Sequence, residues 1–274
     1  MKVVTEDIRS SSARENYSES VEIEGTVRKG VCLTVRGDLS VLGDVEDAII
    51  EVEGDVRIAG GFLGTGAGRV TCGGNFAAGF VQGQRIEAKG NVEVAKAIIS
   101  GTVFASGDVR MGKDEGAIVG GRIHAGGSVE AAVLGSRRPV QTRIEVGVDP
   151  GLALRIEELE REAMELTRKR IGFLKDMTAI EGSSAREGAA ESVLDIRAVA
   201  DAMQADIVAA GEEIIEVRRH ILPNSLAVVK AGKVSYAPLE ISICFSKLMH
   251  DKDTGPVVFR LLEDRIILDN WNIE

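Results

Sequence analysis

A glycine-anchored phrase returns six times between Arg36 and Gly127, and it restricts what this chain can fold into more than any other feature. Gly37, Gly54, Gly74, Gly90, Gly107 and Gly127 are 17, 20, 16, 17 and 20 residues apart. Two places after each stands an apolar residue: Leu39, Val56, Phe76, Val92, Val109 or Val129. Two and four places before each the chain is again apolar or small, as at Cys72 and Val70 or Ala88 and Ile86. The residue directly after the anchor is small and polar: Asp38, Asp55, Asn75, Asn91, Asp108, Ser128. Period-two alternation on both sides of a glycine predicts two short strands, each with one buried face, that meet at a bend. The glycine is expected to supply the bend by adopting positive φ, with the Asp, Asn or Ser behind it bonding its own local backbone. A unit of about 18 residues cannot bury its apolar face alone, so successive copies must stack around one continuous core. The pattern therefore predicts a mainly β fold, a parallel β-helix solenoid whose like positions stack roughly 4.8 Å apart. It is expected to be right-handed, because parallel crossovers have that hand and the uneven intervals depart from the steady eighteen of the left-handed hexapeptide form.

The domain boundaries follow from where the period changes. Residues 1–20 are polar, with no usable period, and are expected to be a flexible N-terminal segment. The β-helix is expected over 21–148, opening with Val21-Glu22-Ile23-Glu24-Gly25 as a short first rung and ending on Arg143-Ile144-Glu145-Val146. At Asp149-Pro150-Gly151, a helix cap and first-turn proline, the period becomes 3.5. Leu152, Ile156, Leu159, Ala163, Leu166, Arg170, Phe173, Met177 and Ile180 form one heptad seam. Val193, Ile196, Ala200, Met203, Ile207, Ala210, Ile214, Val217 and Ile221 form a second, with a turn expected over Glu181 to Gly188. Read antiparallel, facing residue numbers always sum to 373. This predicts a coiled-coil hairpin over 149–222, a rod on the order of 43 Å long that projects from the solenoid. Arg170, the one polar seam residue, is expected to snorkel its guanidinium outward. Residues 223–274 return to alternation, with Gly232 read as a further anchor, and are expected to complete and cap the open end of the β-helix.

Composition bears on function by exclusion. Only 4% of residues are aromatic, too few for a base-stacking platform, and 33 basic against 43 acidic residues give a net charge of −10, which disfavours nucleic acid or an anionic membrane surface as partner. Cys32, Cys72 and Cys244 are far apart and suit a reducing compartment. There is no apolar run of membrane-spanning length and no leader at Met1, so a cytoplasmic location is expected. The Asp38 to Ser128 column, with Asp44 nearby, reads as turn chemistry, because calcium-binding β-rolls need a denser Gly and Asp pattern. Alternation points His124 to solvent as a plain surface histidine. His220 lies where the helix dipole suffices to explain it, and His250-Asp251-Lys252-Asp253-Thr254-Gly255 reads as a polar loop. Arg69, Arg85, Arg122 and Arg143 occupy one repeat position and are expected to stack, either as a solvated corner paired with neighbouring glutamates or as a stripe that docks an anion or an acidic protein. No nucleotide, hydrolase or zinc motif is present, so no catalytic, cofactor-binding or metal residue is assigned and no enzyme is expected.

The combination of phrases such as Val35-Arg36-Gly37-Asp38-Leu39, Val52-Glu53-Gly54-Asp55-Val56 and Ile123-His124-Ala125-Gly126-Gly127 with a charged helical hairpin and a strand return resembles the bacterial flagellar assembly protein A family over about residues 21–268. The return segment Gly232-Lys233-Val234-Ser235-Tyr236-Ala237-Pro238 departs from that family's Val-Tyr-Pro-Gly-like turn. A core with no evident pocket and a long charged rod point to a non-catalytic scaffold or adaptor that presents its β-helix face and rod to protein partners, the capped end and short first rung point to a monomer or small homo-oligomer, and the resemblance implies the setting, flagellar assembly or polar placement. The alternatives are a polymerising, bactofilin-like cytoskeletal protein, which would lack the hairpin, and a β-helix enzyme of the acyltransferase type, whose histidine and carrier groove have no counterpart here.

Overall fold

The computed structural model describes residues 1–9, 14–182 and 189–270. They divide into two compact units, residues 1–150 with 223–274, and residues 151–222. The first is a parallel β-solenoid of about seven turns. Three columns of strands run through it. One stacks Val21–Ile23, Leu39–Val41, Val56–Leu63, Phe76–Gln82, Val92–Val94, Val109–Met111, Val129–Leu134 and Val228–Ser235. A second stacks Cys32–Val35, Ile49–Val52, Arg69–Cys72, Arg85–Ala88, Ala97–Ala105, Ala117–Ala125, Thr142–Val146 and Leu239–Ile243. The third, short column carries the apolar stack Val45, Phe62, Val81, Ile98, Ile118 and Leu134. All six are fully buried, and with the inward Val, Ile and Leu of the other columns they form one continuous core.

The anchor glycines do stack. Each of Gly54, Gly74, Gly90, Gly107 and Gly127 donates its N–H to the carbonyl of the anchor one turn earlier, at 2.9–3.1 Å. Their need for glycine is not the expected one, since none of the six is among the glycines with positive φ. It is room. A Cβ on Gly54 would lie 2.1 Å from Asp38 Oδ1, on Gly74 2.0 Å from Asp55 Oδ1, on Gly107 2.3 Å from Asn91 Oδ1 and on Gly127 2.0 Å from Asp108 Oδ1. The small polar side chains fill that space because they reach across to the next turn instead of back to their own backbone. Ser20 Oγ accepts from Asp38 N, Asp38 from Asp55 N, Asp55 from Asn75 N, Asn75 from Asn91 N, Asn91 from Asp108 N, Asp108 from Ser128 N and Ser128 from Val228 N, all within 2.6–3.1 Å. The result is an uninterrupted side-chain ladder down one corner, which satisfies backbone donors that strand pairing misses. Glycine and Asx thus work as a pair across turns.

The first turn starts earlier than expected. Lys2–Val4 pairs parallel with Val21–Ile23, Ile8 bridges to Val27, and Glu15–Tyr17 pairs with Cys32–Val35. Residues 1–20 are therefore not a flexible lead-in but carry strands of the solenoid, residues 10–13 lying outside the described residues. An end turn has core on one side only, so Lys2 and Glu15 stand in columns that are apolar elsewhere, and Ser20 precedes the first anchor of the ladder.

At the other end the parallel pattern is closed off. Val228–Ser235 takes Val257–Leu262 as an antiparallel neighbour, Leu239–Ile243 takes Ser246–His250, and Arg265–Asn270 adds to Val257–Leu262. Both free parallel edges are thereby occupied, as a capped end requires. Gly232 is not a corner anchor. Ala227 holds the place of Gly127, and Gly232 lies where the register with Ala131 and Val133 slips by one residue, a β-bulge.

The second unit is the helical hairpin, helices α1 (Pro150–Gly182) and α2 (Ala189–His220). The turn expected at Glu181 to Gly188 falls largely on residues 183–188, outside the described residues, as do the side chains of Ile180 and His220. In α2 every seam residue is shielded from solvent, and Gly211 is the only other described helix position that is not exposed. The register agrees with the facing rule. Arg155 NH2 meets Glu213 Oε1 at 2.7 Å and Arg218 NH2 meets Glu160 Oε1 at 3.0 Å, pairs that flank the Ile156–Val217 and Leu159–Ile214 layers on opposite sides. Arg170 does not snorkel away. Its Nε donates to the carbonyl of Ala200 at 3.2 Å, where the small side chain leaves space opposite Phe173. Cysteines replacing Ala163 and Ala210 are expected to form a disulfide under mild oxidation, read as a mobility shift on a non-reducing gel. A pair that stays reduced would contradict the register.

Candidate functional site

The four arginines singled out by the repeat do share a column. Strand register stacks Ile49, Arg69, Arg85, Thr102, Arg122, Arg143 and Glu240 directly upon one another. Two residues further along the same strands runs the column Glu51, Thr71, Glu87, Phe104, His124, Glu145 and Ser242. Both columns point away from the solenoid core, so each guanidinium stands near a carboxylate. Arg69 is 4.0 Å from Glu51, Arg85 2.5 Å from Glu87, Arg122 3.0 Å from Glu145 and Arg143 2.8 Å from Glu240. A stripe built this way carries little net charge.

The arginine column is broken once, at Thr102, and there Phe104 fills the neighbouring column. The guanidinium carbons of Arg85 and Arg122, one turn before and one turn after, lie 4.7 and 5.7 Å from its ring centroid. Such cation–π contacts add to the ion pairs that the two arginines make with Glu87 and Glu145.

His124 is not the surface histidine that alternation suggested. It is 3% exposed, its ring tilted against Phe104. Nδ1 lies 3.1 Å from Glu145 Oε2, and Nε2 lies 3.1 Å from the carbonyl oxygen of Val148, where the chain leaves the solenoid. Burial alone would raise the Glu145 carboxyl, but hydrogen bonds from His124 and Arg122 hold it down at about 2. With Nε2 on the Val148 carbonyl and Nδ1 beside the Glu145 carboxylate, His124 is a structural member of the face. His250 is also buried, not looped out: it ends Ser246–His250 with its ring edge-on to Phe259 at 5.1 Å. Burial lowers its pKa. Cys72 sits on an inward column as expected, and burial pushes its thiol up to about 12.

A shallow groove of about 580 Å³ lies on a different column, lined by Arg57, Ala59, Gly79, Glu93, Arg110 and Lys113 among others. No histidine, cysteine or hydroxyl side chain lines it. Among the described residues no three His, Cys, Asp or Glu side chains converge as a metal site would need, and no helix is long and apolar enough to cross a membrane.

A family model described as the Flagellar Assembly Protein A beta solenoid domain matches residues 6–267. The chain belongs to that family. No significant match was found among curated proteins or among solved structures. The Flagellar Assembly Protein A match begins at residue 6, so it takes in most of the first turn that periodicity left out, and it runs through the hairpin to the antiparallel cap. Within this member of the family, sequence reasoning found the arginine column but missed Phe104, His124 and Glu145 beside it. The signal was available in the 16-to-21-residue offsets between like strand positions, which place those three side chains in adjacent turns.

Proposed function

We propose that this Flagellar Assembly Protein A member is a cytoplasmic, non-catalytic scaffold that serves flagellar assembly or its polar placement, and that it presents the arginine–glutamate face and the hairpin to partner proteins. The observation that carries the reading is the make-up of the outward columns. Their charged groups are spent on one another, turn after turn, and the shallow groove of about 580 Å³ offers mainly small apolar residues, with Glu93 and Arg110 3.9 Å apart and no histidine, cysteine or hydroxyl side chain. Of these columns, the arginines with Phe104 among them are of the residue types that protein interfaces favour.

The capped C-terminal edges support discrete particles over endless stacking. Light scattering between low and high micromolar concentration is expected to show no growth of filaments; concentration-dependent filaments would favour a polymerising role instead. The scaffold reading is tested by pull-down from native cells with the intact chain and with one in which residues 152–221 are replaced by a short linker. Asn224 N donates to Gly147 O at 2.7 Å, so the ends to be joined are adjacent. Loss of a subset of partners on removing the hairpin is expected. An unchanged partner set with unchanged motility would refute the hairpin's role, and turnover abolished by His124→Ala would refute the non-catalytic assignment.

A further inference from the structure

The two sides of the hairpin differ in a way that its own pairing does not explain. The ion pairs Glu160–Arg218 and Arg155–Glu213 mark its two flanks, because in an antiparallel pair e positions meet e and g positions meet g. On the Arg155–Glu213 flank the outward positions are richer in acidic residues, among them Glu158, Glu162, Glu165, Asp206 and Glu216, and carry Lys169 and one exposed large apolar residue, Val199. On the Glu160–Arg218 flank five of the eight b positions next to the e residues are large and apolar, Met164 and Ile171 of α1 and Leu194, Val208 and Ile215 of α2, the others being Glu157, Thr178 and Asp201. These are 73%, 47%, 66%, 50% and 53% exposed. Thr167, Leu174, Gln204 and Gly211 lie at the e positions between them, so the strip carries little charge along its middle.

We propose that this strip is a self-association surface, occupied by the hairpin of a second copy of the chain to give a four-helix bundle. Size and charge both argue for a second copy. The five exposed apolar side chains present roughly 500 Å² per copy, so a pair buries about 1,000 Å² of apolar surface alone, which reaches the size of a specific interface. The charges are self-complementary. On this flank the described charged side chains of α1 are Glu157 and Glu160, whereas α2 carries Arg197 and Arg218 against a single Asp201. Two hairpins related by a two-fold axis along their length set α1 of one against α2 of the other, so that the Glu160–Arg218 pairs of the two copies come side by side with opposite charges facing and Met164 approaches the partner's Val208. Every helix then has antiparallel neighbours, the arrangement that four-helix bundles favour. The inference stands on the hairpin alone and does not depend on the scaffold reading.

The test uses the full chain. Sedimentation equilibrium is expected to show a dimer at low micromolar concentration, and Ile171→Glu with Val208→Glu is expected to weaken it at least 100-fold. Those positions lie off the seam between the two helices, so helical circular dichroism should be unchanged and the unfolding midpoint should match that of the native chain diluted until it is monomeric, which separates lost association from lost folding. Mixing a Met164→Cys copy with a Val208→Cys copy should yield a disulfide-linked heterodimer on mild oxidation. A chain that stays monomeric at 100 micromolar, alone or because a different protein holds the strip, overturns the proposal, as does a dimer indifferent to both glutamates. A dimer that instead links Met164→Cys to Ile171→Cys overturns the pairing of α1 with α2.

Discussion

Gly74→Ala is expected to destabilise the solenoid by about 3 kcal/mol, more than a surface methyl normally would. The added Cβ would stand 2.0 Å from Asp55 Oδ1, and the three nearest atoms it meets all belong to Asp55, two in its side chain and one its backbone nitrogen at 3.2 Å. Asp55 must then swing away, abandoning the 2.6 Å hydrogen bond it accepts from Asn75 N. That strands a backbone donor and loses a charge-assisted bond worth about 1.5–3 kcal/mol, with a further cost of about 1 kcal/mol for the crowding that remains. Asp55→Ala alone should cost about 1.5–2 kcal/mol, because the donor is lost without the clash. The decisive measurement is the double variant. If glycine is present to make room for the side chain one turn below, Asp55→Ala with Gly74→Ala will be less destabilised than the two single changes added, by about 1 kcal/mol or more in urea unfolding. Strict additivity would mean that Gly74 serves some need of its own backbone.

Removing the Glu145 carboxylate is the second large change. Glu145→Ala leaves Arg122 and the buried His124 facing each other without the anion that joins them, and a broken buried pair costs about 3–5 kcal/mol when desolvation is complete. Glu145 keeps some solvent contact, so about 2–3 kcal/mol is expected, with Glu145→Gln losing less because it retains an acceptor. The same group makes stability depend on pH. Its carboxyl titrates at about 2 in the folded protein against 4.5 ordinarily, so between those values the unfolded chain binds the extra proton. The stabilisation is fully present above about pH 4.5 and is lost as pH falls towards 2. Unfolding midpoints taken from pH 6 down to pH 2.5 should therefore fall more steeply for the native chain than for Glu145→Gln. Parallel slopes would show that Glu145 is not held ionised by its neighbours.

Much of this molecule can be read along the chain because its two units are periodic. A column of like residues in a solenoid is a column in the sequence, so the six anchors and the apolar positions around them specify the parallel stack, and Arg69, Arg85, Arg122 and Arg143 fall into line without any structure. The heptad spacing does the same for the hairpin: seam residues recur at 3 and 4, and the antiparallel sum of 373 is confirmed by ion pairs that bracket the predicted layers. Periodicity is a local property, and it is expressed wherever neighbouring units impose the same environment on each copy. It fails where the environment is set by something that does not repeat. The end turn has a neighbour on one side only, so Lys2, Glu15 and Ser20 satisfy its geometry with residues that break the pattern. His124 lies on an outward position by alternation, yet a carbonyl 24 residues later closes over it, and Phe104 and Glu145 from the adjoining turns complete the enclosure. The purpose of the glycine and Asx pairs was hidden for a related reason: their order along the chain announces a bend, but which backbone N–H the side chain reaches depends on how far each turn lies from the next, and only the stacked turns bring Asp55 Oδ1 against Asn75 N, 20 residues away.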